Sequence, residues 1–126
     1  MNQAIGYLLV FFGGGLGAAA RHGVNSIGLE TLGPGFPWWT MAVNVIGSFA
    51  IGLLAGLLGA FETAHNMRLF LTTGFLGGFT TFSAFSLDAL TLWEQEALLH
   101  AGAYVLASVL LSLLGAAVGL MLSRVL

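Results

Sequence analysis

Hydroxyls, one carboxamide and paired phenylalanine rings recur at helical spacing along this chain, inside stretches that are otherwise apolar. Thr40, Asn44 and Ser48 fall at i, i+4 and i+8 and share one face of a helix, and Gly52 and Gly56 extend that stripe. Tyr104, Ser108 and Ser112 repeat the interval. Phe82 and Phe85 lie three apart on a common face, with Thr81 one turn before Phe85. A polar group in hydrocarbon costs free energy unless it finds a partner. Serine and threonine can bond their own helix backbone. Asn44 must satisfy two N–H donors and an acceptor, so either a cross-link to another helix or a permeating species is required. Hydroxyl and amide hydrogens and the positive ring edges of phenylalanine can each replace part of a small anion's water shell. The apolar stretches hold no acidic residue before Asp88, which gives a proton relay or a carboxylate cation site little support. Spacing carries the chemistry to a small anion and does not name it.

The elements that must position these groups follow from composition. The chain has 126 residues, 58% hydrophobic and only 6% charged, a balance that a water-facing surface does not accommodate. The sequence predicts an all-α integral membrane protein, a single transmembrane domain over residues 1–126 with spans at about 4–21, 38–61, 68–90 and 99–123. Each is close to or above the roughly 17 to 25 residues that a spanning helix needs. The connectors are short: His22 to Pro37 carries Pro34 and Pro37, Glu62 to Arg68 is polar, and Asp88 to His100, which takes in the polar ends of the adjoining spans, holds three of the five carboxylates. The first span is expected to stay in the mature protein, because Met-Asn-Gln before it lacks the positive charge of a signal peptide. Zero cysteines exclude disulfides and thiol chemistry, and a net charge of −2 implies no nucleic-acid partner.

Residues 74–85 read Gly-Phe-Leu-Gly-Gly-Phe-Thr-Thr-Phe-Ser-Ala-Phe. Gly74, Gly77 and Gly78 weaken helix and free backbone groups, which a bilayer core tolerates only where the backbone is buried in protein or lines a polar cavity. The third span is therefore expected to be broken near its middle, and the break to be a site.

Orientation is read from Arg21, Arg68 and Arg124, the only arginines in a chain without lysine. With both termini inside, two are cytoplasmic and one is opposite, nearly no bias. Two readings stay open: an ordinary protein with few charges, or a chain that inserts both ways and pairs with an inverted copy, as inverted internal repeats do in many transporters. Four helices fill their own centre with side chains, so a pore predicts oligomerisation. Gly13 and Gly17, and Gly52 and Gly56, form G-x-x-x-G pairs that suit packing either within a subunit or across a dimer seam.

Residues 74–85 resemble the third-helix signature of the Fluc/CrcB fluoride channels. The resemblance extends to Gly17-Ala-Ala-Ala-Arg21 in the first span, to Thr40-Met-Ala-Val-Asn44-Val-Ile-Gly47 in the second, and to Tyr104 and Ser108 in the fourth. It implies an antiparallel, dual-topology homodimer enclosing two fluoride pathways, each built from both subunits. By the same resemblance Phe82 and Phe85 are fluoride-facing rings and Asn44 is a pore amide donor. Thr40, Thr81, Ser83, Tyr104 and Ser108 are polar lining or support, and Arg21 lines an electropositive vestibule. It further implies a structural sodium ion on the dimer axis, held by the backbone carbonyls of Gly77 and Thr80 from both subunits. Ala84 and Asp88 stand where many relatives have threonine and glutamate.

The family resemblance places the chain in a prokaryotic plasma (inner) membrane, surrounded by lipid, as a multi-pass channel that passively exports cytoplasmic fluoride and protects against its toxicity. His22, His65 and His100 flank different spans without i, i+4 pairing, which argues against metal ligation. Trp38, Trp39 and Trp93 suit an interfacial belt. No serine sits in a G-x-S-x-G elbow and no histidine lies in the interior of a span, so an intramembrane enzyme has little support. The alternatives are a small dual-topology multidrug exporter of organic cations, which would need a membrane-embedded carboxylate, and a non-transporting membrane assembly subunit.

Overall fold

The computed structural model describes residues 2–62 and 64–126. It is all-helical, and four helical segments are long and apolar enough to cross a membrane: Gln3–Leu32, Trp38–Gly59, His65–Glu94 and Leu98–Val125. We label the helices α1 (Gln3–Leu32), α2 (Trp38–Gly59), α3 (His65–Arg68), α4 (Gly77–Phe79), α5 (Phe82–Glu94) and α6 (Leu98–Val125), with a π-helical turn, Leu69–Leu76, between α3 and α4.

Helix ends and hydropathy ends differ, because stop signals rather than polarity terminate a helix. The first span was expected to end near residue 21, with a connector from His22 to Pro37, whereas α1 continues to Leu32. Nothing between Arg21 and Leu32 forbids helix; the stop is Gly33, at φ 76°, followed by Pro34. The Asp88 to His100 connector likewise shrinks to residues 95–97, since α5 runs to Glu94 and α6 starts at Leu98. At the other end of α1, the Asn2 side chain accepts a hydrogen bond from the Ala4 amide at 2.9 Å.

Two helix pairs carry the bundle. The α2 helix packs mainly on α6, and α1 packs on the π-helical turn and α4. Both G-x-x-x-G motifs serve these seams inside the chain. A Cβ at Gly17 would run into the Phe75 carbonyl, and one at Gly52 into the Ala116 carbonyl. Backbones thus touch without intervening side chains, the arrangement that lets helices associate in lipid by packing alone.

Within the third segment the chain changes partner. Its first half lies on α1, and its second half, α5, lies on α6. Between them Thr80 (φ −87°, ψ 156°) and Thr81 (φ −153°, ψ 114°) are extended. Gly74, Gly77 and Gly78 are themselves helical; a Cβ on Gly74 would meet Gly13 and one on Gly78 the Gly14 backbone, so these two serve close approach to α1, whereas Gly77 does not. The core sits beyond the extended pair, where Met41, Phe85, Leu92, Ala101 and Tyr104 pack together. Large apolar side chains such as Phe11, Leu106 and Leu113 point outward, as a lipid-facing surface requires.

Candidate functional site

The extended pair interrupts the helical hydrogen-bond pattern: the Thr80 amide still donates to the Leu76 carbonyl at 3.0 Å, but the amide and carbonyl of Thr81 need other partners. Asn44 on α2 supplies both with the two ends of its amide. Its Nδ2 donates to the Thr81 carbonyl at 3.0 Å, and its Oδ1 accepts the Thr81 amide at 2.7 Å. The Thr81 hydroxyl then caps α5, accepting from the Ala84 amide at 3.1 Å, and sits 3.2 Å from the Ser83 hydroxyl. Thr80 turns its own hydroxyl back to the Leu76 carbonyl at 2.8 Å. Its methyl lies against Gly47, where a Cβ would collide with it.

These bonds redirect donors. In a continuous helix the Thr81 amide would serve the Gly77 carbonyl and the Ala84 amide the Thr80 carbonyl; the first bonds Asn44 and the second the Thr81 hydroxyl. The carbonyls of Gly77 and Thr80 are therefore deprived of their helical donors. Among the described residues no three His, Asp or Glu side chains come together, so a cation bound here has main-chain and hydroxyl oxygens to bind.

Beside the extended pair lies a groove of about 290 Å³ lined by Asn44, Ser48, Thr80, Thr81, Phe82, Phe85, Ser108 and Ser112, with Val109 and Leu113. The α2 stripe, the α6 stripe and the paired phenylalanines thus converge on one space. The rings of Phe82 and Phe85 are 5.5 Å apart and tilted by 46°. Phe85 is buried against Tyr104, at 5.3 Å between centroids, and Tyr104 meets Phe36 edge-on at 5.5 Å. Phe82 is 78% exposed at the open side of the groove.

Donor hydrogens decide what the groove can hold. The Tyr104 hydroxyl donates to Asp88 Oδ2 at 3.1 Å, so its proton is committed. Asn44 spends one N–H on Thr81 and keeps a second. Ser108, 4% exposed, has a buried Oγ with no protein partner and keeps its O–H free. Free O–H and N–H donors beside the Phe82 and Phe85 rings favour an anion over a cation.

Not every expected residue reaches this space. Thr40 and Tyr104 are buried without lining it, Tyr104 behind Phe85, and Ser83 is exposed at the start of α5, bonded to Thr81. Gly77 lines a separate groove with Gly47, Ser48, Thr72, Thr73 and Thr80. Arg21 lies on the α1 side, its Nε donating to the Gly78 carbonyl at 3.0 Å. Ser48 and Ser112, present in the stripes, belong to the lining, and the i, i+4 interval was their signal. Gly47 contacts Thr80; spacing gave no sign of it, and only the second-helix resemblance included it.

Residues 8–120 match the family described as CrcB-like protein, Camphor Resistance (CrcB). A protein from Mesorhizobium japonicum named fluoride-specific ion channel FluC is 51% identical over 93% of this chain and 94% of its own length. Proteins of the same name from Rhodopseudomonas palustris and Rhizobium johnstonii are 52% identical over 94% of this chain and 49% identical over all of it, covering 96% and 99% of their own lengths. Four apolar helical segments, polar stripes converging at an extended pair, and a match spanning nearly every residue together make this chain a member of the CrcB-like family.

Proposed function

We propose that this chain forms a fluoride-selective ion channel that passively exports cytoplasmic fluoride and so protects the cell against it. The observation that carries this reading is Ser108: a buried hydroxyl without a protein partner, facing a groove shared with Asn44 and the Phe82 and Phe85 rings. Fluoride, small and a strong acceptor, suits such isolated donors, whereas a larger anion would need more of them at longer reach. The relatives' name for their own activity supports the same ion.

The chain works as an antiparallel, dual-topology homodimer in a prokaryotic plasma (inner) membrane. The open side of the groove and the 78% exposed Phe82 support closure of the path by a second copy. In an inverted pair, Thr40, Thr81, Ser83 and Tyr104 support or line two fluoride paths, and the charge of Arg21 stays near their approach. The break in the third segment brings each chain's Gly77 and Thr80 carbonyls, already deprived of helical donors, to the shared interface. There they would hold a structural sodium ion, which supplies a fixed positive charge that favours a nearby anion. Lysines added at one end should bias insertion and lower activity, with recovery on co-expressing an oppositely biased copy. Full activity from one strongly biased variant alone would exclude the antiparallel pair.

The deciding experiment reconstitutes the purified protein in liposomes loaded with fluoride or chloride and records efflux with ion-selective electrodes. Fast fluoride efflux with negligible chloride efflux is the expected result. Silence for both ions from folded protein would reject the channel and favour an assembly subunit, and proton-coupled uptake of an organic cation would favour an exporter.

A further inference from the structure

Three helices meet at the extended pair, and the α1 contribution is not explained by the lining of the groove. In a continuous helix the Gly78 carbonyl would accept the amide of Phe82. With Thr80 and Thr81 extended, that amide opens α5 and points away, and the donor at Gly78 is Arg21 Nε, at 3.0 Å. Close backbone contact makes this reach available. Gly17, one turn before Arg21, abuts the Phe75 carbonyl, and Gly78 abuts the Gly14 backbone.

We propose that Arg21 is a positioning residue: its Nε–H replaces the missing Phe82 amide at Gly78 and fixes the end of the first half of the third segment. Asn44 holds Thr81 from α2 while Arg21 holds Gly78 from α1, so the break is gripped three residues apart by side chains of two helices. A guanidinium is well suited, because the carbonyl end of a helical half carries partial negative charge and a charged donor bonds it about twice as strongly as a neutral one. With both grips made, α5 leaves the break in one direction, and Phe82 and Phe85 are aimed at the groove. This role is distinct from gathering anions by charge, and it rests on the channel reading only for its flux readout.

Two substitutions separate donor from charge. In Arg21→Gln, Nε2 stands as many bonds from Cβ as Nε does in arginine, so a donor is kept and the charge removed. In Arg21→Met the length is kept and both donor and charge are removed. Hydrogen exchange over residues 78–84 and fluoride efflux are measured on the full-length protein, alongside wild type. Arg21→Gln should keep exchange within about fivefold of wild type, the scale of exchanging a charged for a neutral hydrogen bond, while its flux falls by the loss of the vestibule charge alone and stays above that of Arg21→Met. Arg21→Met should exchange at least about tenfold faster and lose flux by a similar factor, as removal of a bond from a charged donor predicts. Equal flux loss in both variants with unchanged exchange would overturn the proposal in favour of a charge role. Equal exchange in the two variants, whether raised or at the wild-type level, would overturn it outright. If Arg21→Met yields no folded protein, Arg21→Gln decides: wild-type protection supports the proposal and raised exchange rejects it. A wild type without fluoride flux would sink the channel reading and leave the exchange comparison to judge Arg21.

Discussion

Gly47→Ala tests how tightly α2 sets the break. A Cβ at this position collides with the Thr80 methyl, while the next nearest atoms, Phe79 Cδ2 at 3.6 Å and Thr80 Cβ at 3.7 Å, are in ordinary contact. One methyl is therefore the whole conflict. Overpacking of this kind costs about 1 to 3 kcal/mol, which at about 1.4 kcal/mol per tenfold lowers the equilibrium constant for forming the native break by roughly 5- to 150-fold. Thr80→Ser removes that methyl and keeps the hydroxyl bond to Leu76; alone it leaves a small void costing about 1 kcal/mol. Combined, the two changes exchange one methyl for another across the contact, and the double variant should recover most of the loss. A favourable coupling of about 0.5 to 3 kcal/mol is the expected signature of side chains that touch. The assay is a double-mutant cycle on fluoride efflux and on the thermal midpoint of the purified protein. A double variant no better than Gly47→Ala would refute the claim that this contact positions Thr80.

Phe82→Ile together with Phe85→Ile should abolish fluoride efflux while oligomeric state and fold are retained, because aliphatic side chains lack a positive ring edge; full flux from well-folded double variant would reject the ring mechanism. Ser108→Ala should leave thermal stability nearly unchanged, since the hydroxyl has no protein partner to lose, yet cut flux about tenfold or more. Equal losses of stability and flux would make Ser108 a packing residue. Asn44→Ala strands both the amide and the carbonyl of Thr81, each at about 1 to 3 kcal/mol, and should raise hydrogen exchange over residues 79–84 and lower flux. Asn44→Asp keeps the acceptor but sets a second oxygen against the Thr81 carbonyl, so it should not rescue; rescue by Asp would show that only the Thr81 amide matters.

Membrane residence was legible from composition, and the polar stripes from their four-residue interval, because both are local properties of the chain. The same interval marked Ser48 and Ser112 as members of a face; Asn44, Ser48, Ser108 and Ser112 line one groove, while Thr40 and Tyr104 do not. Glycine content singled out residues 74–85, but the glycines proved helical, and the extended pair is Thr80 and Thr81. Hydropathy also placed the end of the first helix eleven residues too early, since polarity marks where a chain can leave hydrocarbon and only Gly33 and Pro34 end the helix.

What tertiary structure alone decided is where each donor hydrogen goes. The amide of Asn44 bonds a residue 37 positions away and the guanidinium of Arg21 one 57 positions away. Tyr104 and Ser108 lie one helical turn apart and read alike in the sequence, yet the first gives its proton to Asp88 and the second keeps its own. Periodicity reports which residues share a face and is blind to what stands opposite that face. The family match names the class of molecule; the packing of α1 and α2 around two extended threonines determines which of its polar groups are spent on structure and which remain for an ion.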